Sequence, residues 1–176
     1  MPEGAHPHQD AAGLGAELAT VLAGARRRAV RDGDRQADTA HLLHSLLEQD
    51  PEVRAAVGGP PRLARLLGYL VQRSIGYGLR WQGSVEDSGA IPVVPRPATG
   101  ETADWSPAAA AALHRARDRA RRRGRDAAGA PDLFAALVAD PDSRAVEVLA
   151  RAGVDARGLS ARIEAGSGEF AQDTTG

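Results

Sequence analysis

The sequence predicts an all-α protein in which two four-helix repeats pack together with pseudo-twofold symmetry. A shift of 91 residues aligns 15–47 with 106–138, and 11 of these 33 positions are identical. Apolar spacing is conserved between the two copies, which strengthens the repeat. The aligned leucine pairs are Leu22 with Leu113, Leu42 with Leu133, and Leu46 with Leu137. Only 3% of residues are aromatic, so the core must consist of Leu, Val and Ala, a composition that favours close-packed helices over a sheet.

Capping signals divide the first repeat, residues 13–78, into four helices. The first carries an apolar face opposite an arginine-rich face, and Gly33 ends it as a C-cap. His44 is expected on the surface of the second helix. The predicted helix starts are Leu14, Asp38 or Thr39, Asp50 with Pro51, and Leu63 after a break at 58–61.

The second repeat, residues 105–165, carries the same signals. A Ser-Pro start opens a helix that stops at Gly124. Asp140-Pro141-Asp142 repeats the Asp50-Pro51-Glu52 pattern, so we expect the third helix to begin there. The predicted starts are Ser106 with Pro107, Pro131, Asp140 with Pro141, and Asp155. Short helical repeats cannot bury their apolar faces alone, so the two sets are expected to pack together.

Three segments lack regular helix signals. Residues 1–12 are expected to form a flexible tail, residues 79–104 a linker between the repeats, and residues 166–176 a disordered tail. The first ten residues lack a secretory signal pattern, and no apolar run reaches the ~20 residues that span a bilayer. The sequence therefore predicts a cytoplasmic protein that makes no membrane contact.

Composition excludes several kinds of chemistry. The formal net charge is -1, so the whole molecule attracts neither DNA nor an anionic membrane. The chain has no Cys, which excludes disulfides and thiolate ligands. All 22 basic residues are Arg, so a phosphate-binding loop with its essential lysine and Schiff-base chemistry are also excluded.

The histidines and serines suggest no catalytic or metal site. His41 and His44 are three residues apart on one predicted helix, whereas a metal site needs three or four converging ligands. We expect His41 to make a hydrogen bond at the helix start. No serine lies in a Gly-x-Ser-x-Gly motif, and no acid–histidine set accompanies one. No catalytic residue, cofactor or metal is therefore predicted.

The second repeat contains a dense run of arginines. Residues 115–125 hold seven Arg, with Asp118 as the only acid. One interpretation is a nucleic-acid or phosphate surface. The other is a solvated helix face, because Ala and Leu form a separate core stripe and no aromatic residue interleaves for base stacking. We favour the solvated face.

The order of these motifs resembles the N-terminal double-repeat domain of Clp-type AAA+ unfoldases. In that family each first helix is followed by a Gly-Thr-Glu-His-Ile/Leu-Leu motif. Here Thr39-Ala40-His41-Leu42-Leu43 stands in the first position and Ala130-Pro131-Asp132-Leu133-Phe134 in the second. The aromatic-Thr-Pro that opens the family's second repeat is matched by Trp105-Ser106-Pro107. No ATPase module accompanies the repeats in this chain.

The resemblance implies a non-catalytic module that docks adaptors, substrates or peptide antibiotics. It places the docking patch around Leu14 and Trp105. We expect partner binding to involve these two residues, the flanking Arg26 and Arg117, and the motif residues Ala40, His41, Pro131 and Asp132. Trp105 precedes a helix cap and follows the linker, so if exposed it would be a binding hot spot.

The two motif positions depart from the family. Ala40 and Pro131 replace both glutamates through which the family's ClpC branch binds phosphorylated arginine. Each replacement removes a charge-assisted hydrogen bond of about 1.5–3 kcal/mol, so that ligand is not expected. His41 is retained, whereas Asp132 stands where the second motif has its histidine.

These observations leave two hypotheses. The first is a protein- or peptide-binding module that binds a Clp unfoldase subunit, an adaptor or a substrate, and so regulates or competes with a Clp protease. The alternative is nucleic-acid or phosphate binding by the arginine-rich helix 115–125.

Overall fold

The computed structural model describes residues 13–74, Glu86 and residues 104–169, and these form eight α-helices without a β-strand. The all-α prediction is confirmed. The first repeat contains α1 (Ala16–Asp32), α2 (Thr39–Gln49), α3 (Pro51–Val57) and α4 (Pro60–Ser74), and the second contains α5 (Pro107–Arg122), α6 (Ala130–Val138), α7 (Arg144–Arg151) and α8 (Ala156–Glu169).

Local capping chemistry sets most helix boundaries. Gly33 adopts a left-handed φ of 75°, and its N–H bonds to carbonyls of the last turn of α1. Gly124 follows α5 with a φ of 68°. Asp38 caps α2 and Ser106 caps α5 by accepting a backbone N–H through the side chain. These four boundaries confirm the starts and stops predicted from sequence.

The start of α7 differs from the prediction. Asp140-Pro141-Asp142 does not open a helix; instead Asp140 accepts the N–H of Asp142 at 3.1 Å within a turn. The helix begins at Arg144 because the hydroxyl of Ser143 accepts the N–H of Val146 at 3.2 Å. A serine cap further along the chain therefore replaces the predicted Asp-Pro start.

The structure describes only part of the predicted tails and linker. α8 continues to Glu169, four residues into the segment expected to be a disordered tail. Residues 1–12 and nearly all of the predicted linker lie outside the described residues. Glu86 is described, and it is buried rather than solvated.

The core is built around α2 and α6. Residues 39–47 of α2 are all buried, and α6 is buried along its length except at Pro131. A helix that is buried on every face must be covered by neighbours on every side. The remaining helices supply that cover, with α1 packed on α2 and α5 packed on α6 in the same way. Within the described residues, no helix combines the length and apolar character needed to cross a bilayer.

Two short backbone seams join the repeats. In the first seam Leu14 pairs with Ala128 as an isolated parallel bridge. The N–H of Gly15 donates to the carbonyl of Ala128 at 2.9 Å, and the N–H of Ala128 donates to the carbonyl of Gly13 at 2.8 Å. The chain entering α1 is thereby tied to the chain entering α6.

The second seam is the same arrangement with the repeats exchanged. Ala37 pairs with Trp105, and the N–H of Ser106 donates to the carbonyl of Ala37 at 2.8 Å. The N–H of Ala37 donates to the carbonyl of Asp104 at 2.9 Å. A shift of 91 residues carries Leu14 onto Trp105 and Ala37 onto Ala128. The two seams are therefore related by the predicted pseudo-twofold symmetry.

Two helical glycines test how closely the helices pack. A Cβ on Gly24 of α1 would lie 2.4 Å from the Ser45 hydroxyl of α2, whereas a Cβ on Gly68 of α4 would meet nothing within 4 Å. We expect Gly24→Ala to lower the free energy of unfolding by about 1–3 kcal/mol through overpacking. We expect Gly68→Ala to raise it by about 0.5–1 kcal/mol through helix propensity.

Urea unfolding followed by circular dichroism measures both effects, and Gly68→Ala serves as the matched control. A Gly24→Ala protein as stable as the wild type would show that α1 and α2 do not approach this closely.

Candidate protein-docking surface

The second seam determines the environment of Trp105. Its ring is only 4% exposed, because the backbone bonds on either side hold it against the other repeat. The guanidinium of Arg26 lies over the ring, 4.9 Å from its centroid, and its Nε is 3.8 Å from a carboxylate oxygen of Asp104. The expectation of an exposed anchor at Trp105 is therefore wrong, although a role in binding stays a prediction.

Arg117 occupies the pseudo-equivalent place at the first seam. Its Cδ lies 3.7 Å from the position that a Cβ on Gly13 would take, directly before Leu14 in the chain. Leu14 is 9% exposed, so both seams cover their large apolar residue. The structure thus brings Leu14, Trp105, Arg26 and Arg117 together as two related pairs, each with an arginine beside a seam.

His41 of the first motif is a structural cap. Its backbone N–H donates to Asp38, and its Nδ1 accepts the N–H of Asp38 at 3.0 Å, which forms a reciprocal capping box. Its Nε2 lies 3.2 Å from carboxylate oxygens of both Asp32 and Asp34. This confirms the predicted hydrogen bond at the helix start. Ala40 beside it is fully buried.

Asp132 of the second motif likewise caps the start of its helix, but it is an acid where His41 is a base. Its carboxylate accepts the N–H of Gly129 at 2.9 Å, at the start of α6. Arg125 donates to both of its oxygens, at 2.6 and 2.7 Å, and Arg119 approaches within 3.6 Å. Pro131 beside it is exposed. A histidine surrounded by carboxylates in one repeat is thus a carboxylate surrounded by arginines in the other.

The cluster of Asp32, Asp34 and His41 has the spacing of a metal site, since one ligand atom from each lies within 4.8 Å of the others. Its hydrogen bonds argue against that use. Because Nδ1 of His41 accepts a backbone N–H, the neutral ring carries its proton on Nε2 and donates it to the carboxylates. A metal at Nε2 would require a ring without either proton. The donor set therefore fits a hydrogen-bonded cap and not a metal.

His44 is buried, contrary to the surface position expected from sequence, and it is only 6% exposed. Burial, together with the nearby charge of Arg28, lowers the pKa of His44 from 6.5 to about 4. The ring is consequently neutral at pH 7.

Sequence reasoning missed the polar cluster between the repeats. Glu86, from the predicted linker, reaches the first residues of α2 and α7 and accepts the N–H groups of Thr39 and Arg144 at 2.8 and 2.6 Å. No periodicity or cap pattern marks Glu86 in the sequence, because its partners lie 47 and 58 residues away. Only the folded arrangement shows its role.

Asp38 is the second acid of this cluster. Arg144 donates to its carboxylate at 2.8 Å, and Arg73 also pairs with it. Burial alone would raise the pKa of Asp38, but hydrogen bonds from His41 and the charge of Arg73 hold it well below its usual range. Asp38 therefore links α2 to α4 and α7 while also capping α2.

An open apolar groove lies on the second repeat. It runs between the end of α6, α7 and the first half of α8, with a volume of about 810 Å³. Its apolar lining consists of Val138, Ala139, Pro141, Val146, Ala150, Gly153, Val154, Ala156 and Ala161. Asp155 and Arg157 also line it. Unlike the seams, this groove is not filled by side chains of the residues that the structure describes.

Comparison with known proteins identifies the fold. Residues 105–176 match the family described as the Clp repeat (R) N-terminal domain. Among solved structures, the N-terminal domain of the caseinolytic protease-associated chaperone ClpD from Arabidopsis thaliana is similar, with a TM-score of 0.61 and 18% sequence identity. The similarity covers 87% of this chain and 93% of that chain. The chain has a Clp N-domain-like fold.

Another solved structure, described as part of a malarial protein secretion system, is similar with a TM-score of 0.58 and 13% identity. The similarity covers 86% of this chain and 92% of that chain. A search of curated protein sequences finds no significant match. The family match falls on the second repeat alone, while the structural similarity of the Clp N-domain-like fold extends over both repeats.

Much of the arginine run is paired with acids. Arg119 and Arg125 converge on Asp132, and Arg119 also pairs with Glu164. Arg121 pairs with Asp118 at 3.1 Å. These pairs favour the solvated, locally neutralised helix face over a phosphate surface. Arg122 and Arg123 at the end of the helix remain exposed.

The low pKa of His44 predicts a specific pH dependence. The unfolded state binds a proton near pH 6.5 and the folded state only near pH 4, so stability falls as the pH decreases through this window. When the pH is lowered from 7 to 4, we expect the free energy of unfolding of the wild type to fall by about 2–3 kcal/mol more than that of His44→Gln.

The measurement is the free energy of urea unfolding at several pH values for both proteins, and only their difference is attributed to His44. Parallel curves for wild type and His44→Gln would show that His44 titrates normally in the folded protein.

Proposed function

We propose that this protein is a non-catalytic docking module that binds protein or peptide segments. Its ligands would be adaptors, substrates, peptide antibiotics or a Clp unfoldase subunit, and binding would regulate or compete with a Clp protease. The Clp N-domain-like fold supports this proposal. The serines of the described core do not suggest catalysis, since Ser45 and Ser143 donate to backbone carbonyls and Ser106 caps α5.

The observation that carries the proposal is the open apolar groove along α6, α7 and α8. Its volume lies within the range of about 300–1,000 Å³ typical of ligand sites, and its lining is mostly apolar. A peptide with an apolar side chain would bury that side chain against Val146 and Val154 and place its own charges near Asp155 and Arg157. An extended or helical peptide with one or two apolar anchors is therefore the proposed ligand.

The two seams remain a proposed second contact. Leu14 and Trp105 are buried, so the accessible groups there are the flanking arginines Arg26 and Arg117, which are partly exposed. These would bind acidic groups of a partner rather than an apolar anchor. The phosphorylated-arginine sites of the ClpC branch are not proposed, because Ala40 and Pro131 supply no carboxylate.

Groove binding is tested with a peptide selected from a random library against the purified protein. We expect Val146→Glu, inside the groove, to weaken binding of that peptide at least ~10-fold, which corresponds to about 1.4 kcal/mol. Val30→Glu introduces the same charge at an exposed apolar position of α1 outside the groove, and we expect it to change affinity less than ~2-fold. Fluorescence anisotropy gives both dissociation constants.

Equal losses in the two variants would place binding outside the groove, and failure to select any peptide would refute the docking function. A labelled oligonucleotide serves as the probe for the alternative. Binding that falls steeply with salt and disappears on replacing Arg122 and Arg123 by Ala would favour nucleic-acid binding instead.

A further inference from the structure

The carboxylate of Glu86 lies where both repeats direct hydrogen-bond donors. Glu86 is 5% exposed. One oxygen accepts the N–H of Thr39, the first residue of α2, and the other accepts the N–H of Arg144, the first residue of α7. The first N–H groups of a helix have no partner within the helix and carry its partial positive charge. Two helices from different repeats therefore present these groups to one carboxylate.

Two buried hydroxyls complete the site. Thr39 donates its hydroxyl to one oxygen of Glu86, and Ser106 donates to the other at 3.3 Å. The Thr39 hydroxyl also accepts the N–H of Ala145 at 3.0 Å, and the Ser106 hydroxyl accepts the N–H of Ala109 at 3.1 Å. Each hydroxyl thus accepts one backbone N–H and donates its single proton to Glu86. Four donors thus converge on one anion.

The neighbouring charges have a fixed arrangement around the site. Asp38 faces Glu86 and, after burial, is the second cause that raises the pKa of Glu86. Arg73 and Arg144 pair with Asp38, and the backbone N–H of His41 donates to it from within α2. The charge of the nearest acid is therefore compensated by its own partners, and the four donors remain available for Glu86.

We propose that the N-termini of α2 and α7, together with the Thr39 and Ser106 hydroxyls, form a carboxylate-binding site between the repeats. Glu86 occupies it from within the chain, and a free carboxylate such as acetate takes the same site when the Glu86 side chain is removed. The site does not depend on the apolar groove, whose lining residues it does not share. A carboxylate bound there contacts residues of both repeats, and it therefore stabilises the contact between them.

Chemical rescue tests the site with acetate as the probe. Glu86→Ala removes the internal carboxylate and is expected to lower the melting temperature. Acetate at 200 mM should then raise it by about 2–4 °C relative to 200 mM chloride at the same pH. Glu52→Ala removes one exposed carboxylate from the first turn of α3 and is the matched control. For this control and for the wild type, the melting temperature should be the same in acetate as in chloride.

An acetate effect in Glu86→Ala no larger than in Glu52→Ala would overturn the proposal. If Glu86→Ala fails to fold, amide hydrogen exchange of Glu86→Gln tests the proposal instead. The N–H groups of Thr39 and Arg144 should exchange at least ~10-fold faster in Glu86→Gln than in the wild type. Unchanged rates at both residues would show that Glu86 does not hold these donors.

Discussion

The two backbone seams are the constraint on which the rest of the structure depends. By pairing Leu14 with Ala128 and Ala37 with Trp105, they fix where α1 and α5 begin relative to the opposite repeat. This registration brings the start of α2 beside the start of α7. The convergence of Arg144 on Asp38 and of Glu86 on both helix termini follows from that placement. The buried polar cluster is thus a product of the seams as well as a reinforcement of them.

The fold was largely predictable because its signals are local. Gly33, Asp38 and Ser106 act on backbone groups within a few residues, so their chemistry is the same in the sequence and in the folded chain. The failure at Asp140 shows the limit of this reasoning. Two nearby caps competed, and the serine cap at Ser143 started the helix.

The candidate site was less predictable because its determinants are distant in sequence. Trp105 looked like an exposed anchor since it follows a polar segment, yet a seam with Ala37 buries it. His44 looked like a surface residue, yet it is buried in a helix against which α1 packs. Glu86 gave no signal because its partners Thr39, Ser106 and Arg144 are distant from it in sequence. Burial of a polar residue depends on what packs against it, which spacing along the chain does not specify.

The exchange symmetry of the seams has a consequence for how such a fold arises. Each repeat contributes one residue to each seam. Because the shift of 91 residues carries Leu14 onto Trp105 and Ala37 onto Ala128, the two seam residues of one repeat match the partners that they need in a second copy. A single repeat, as an independent chain, would find the partners of both its edges in a second identical chain. The present architecture therefore has, within one chain, the geometry of a symmetric dimer of two such repeats. Within this shared frame the two halves differ in chemistry, since His41 lies among carboxylates and Asp132 lies among arginines.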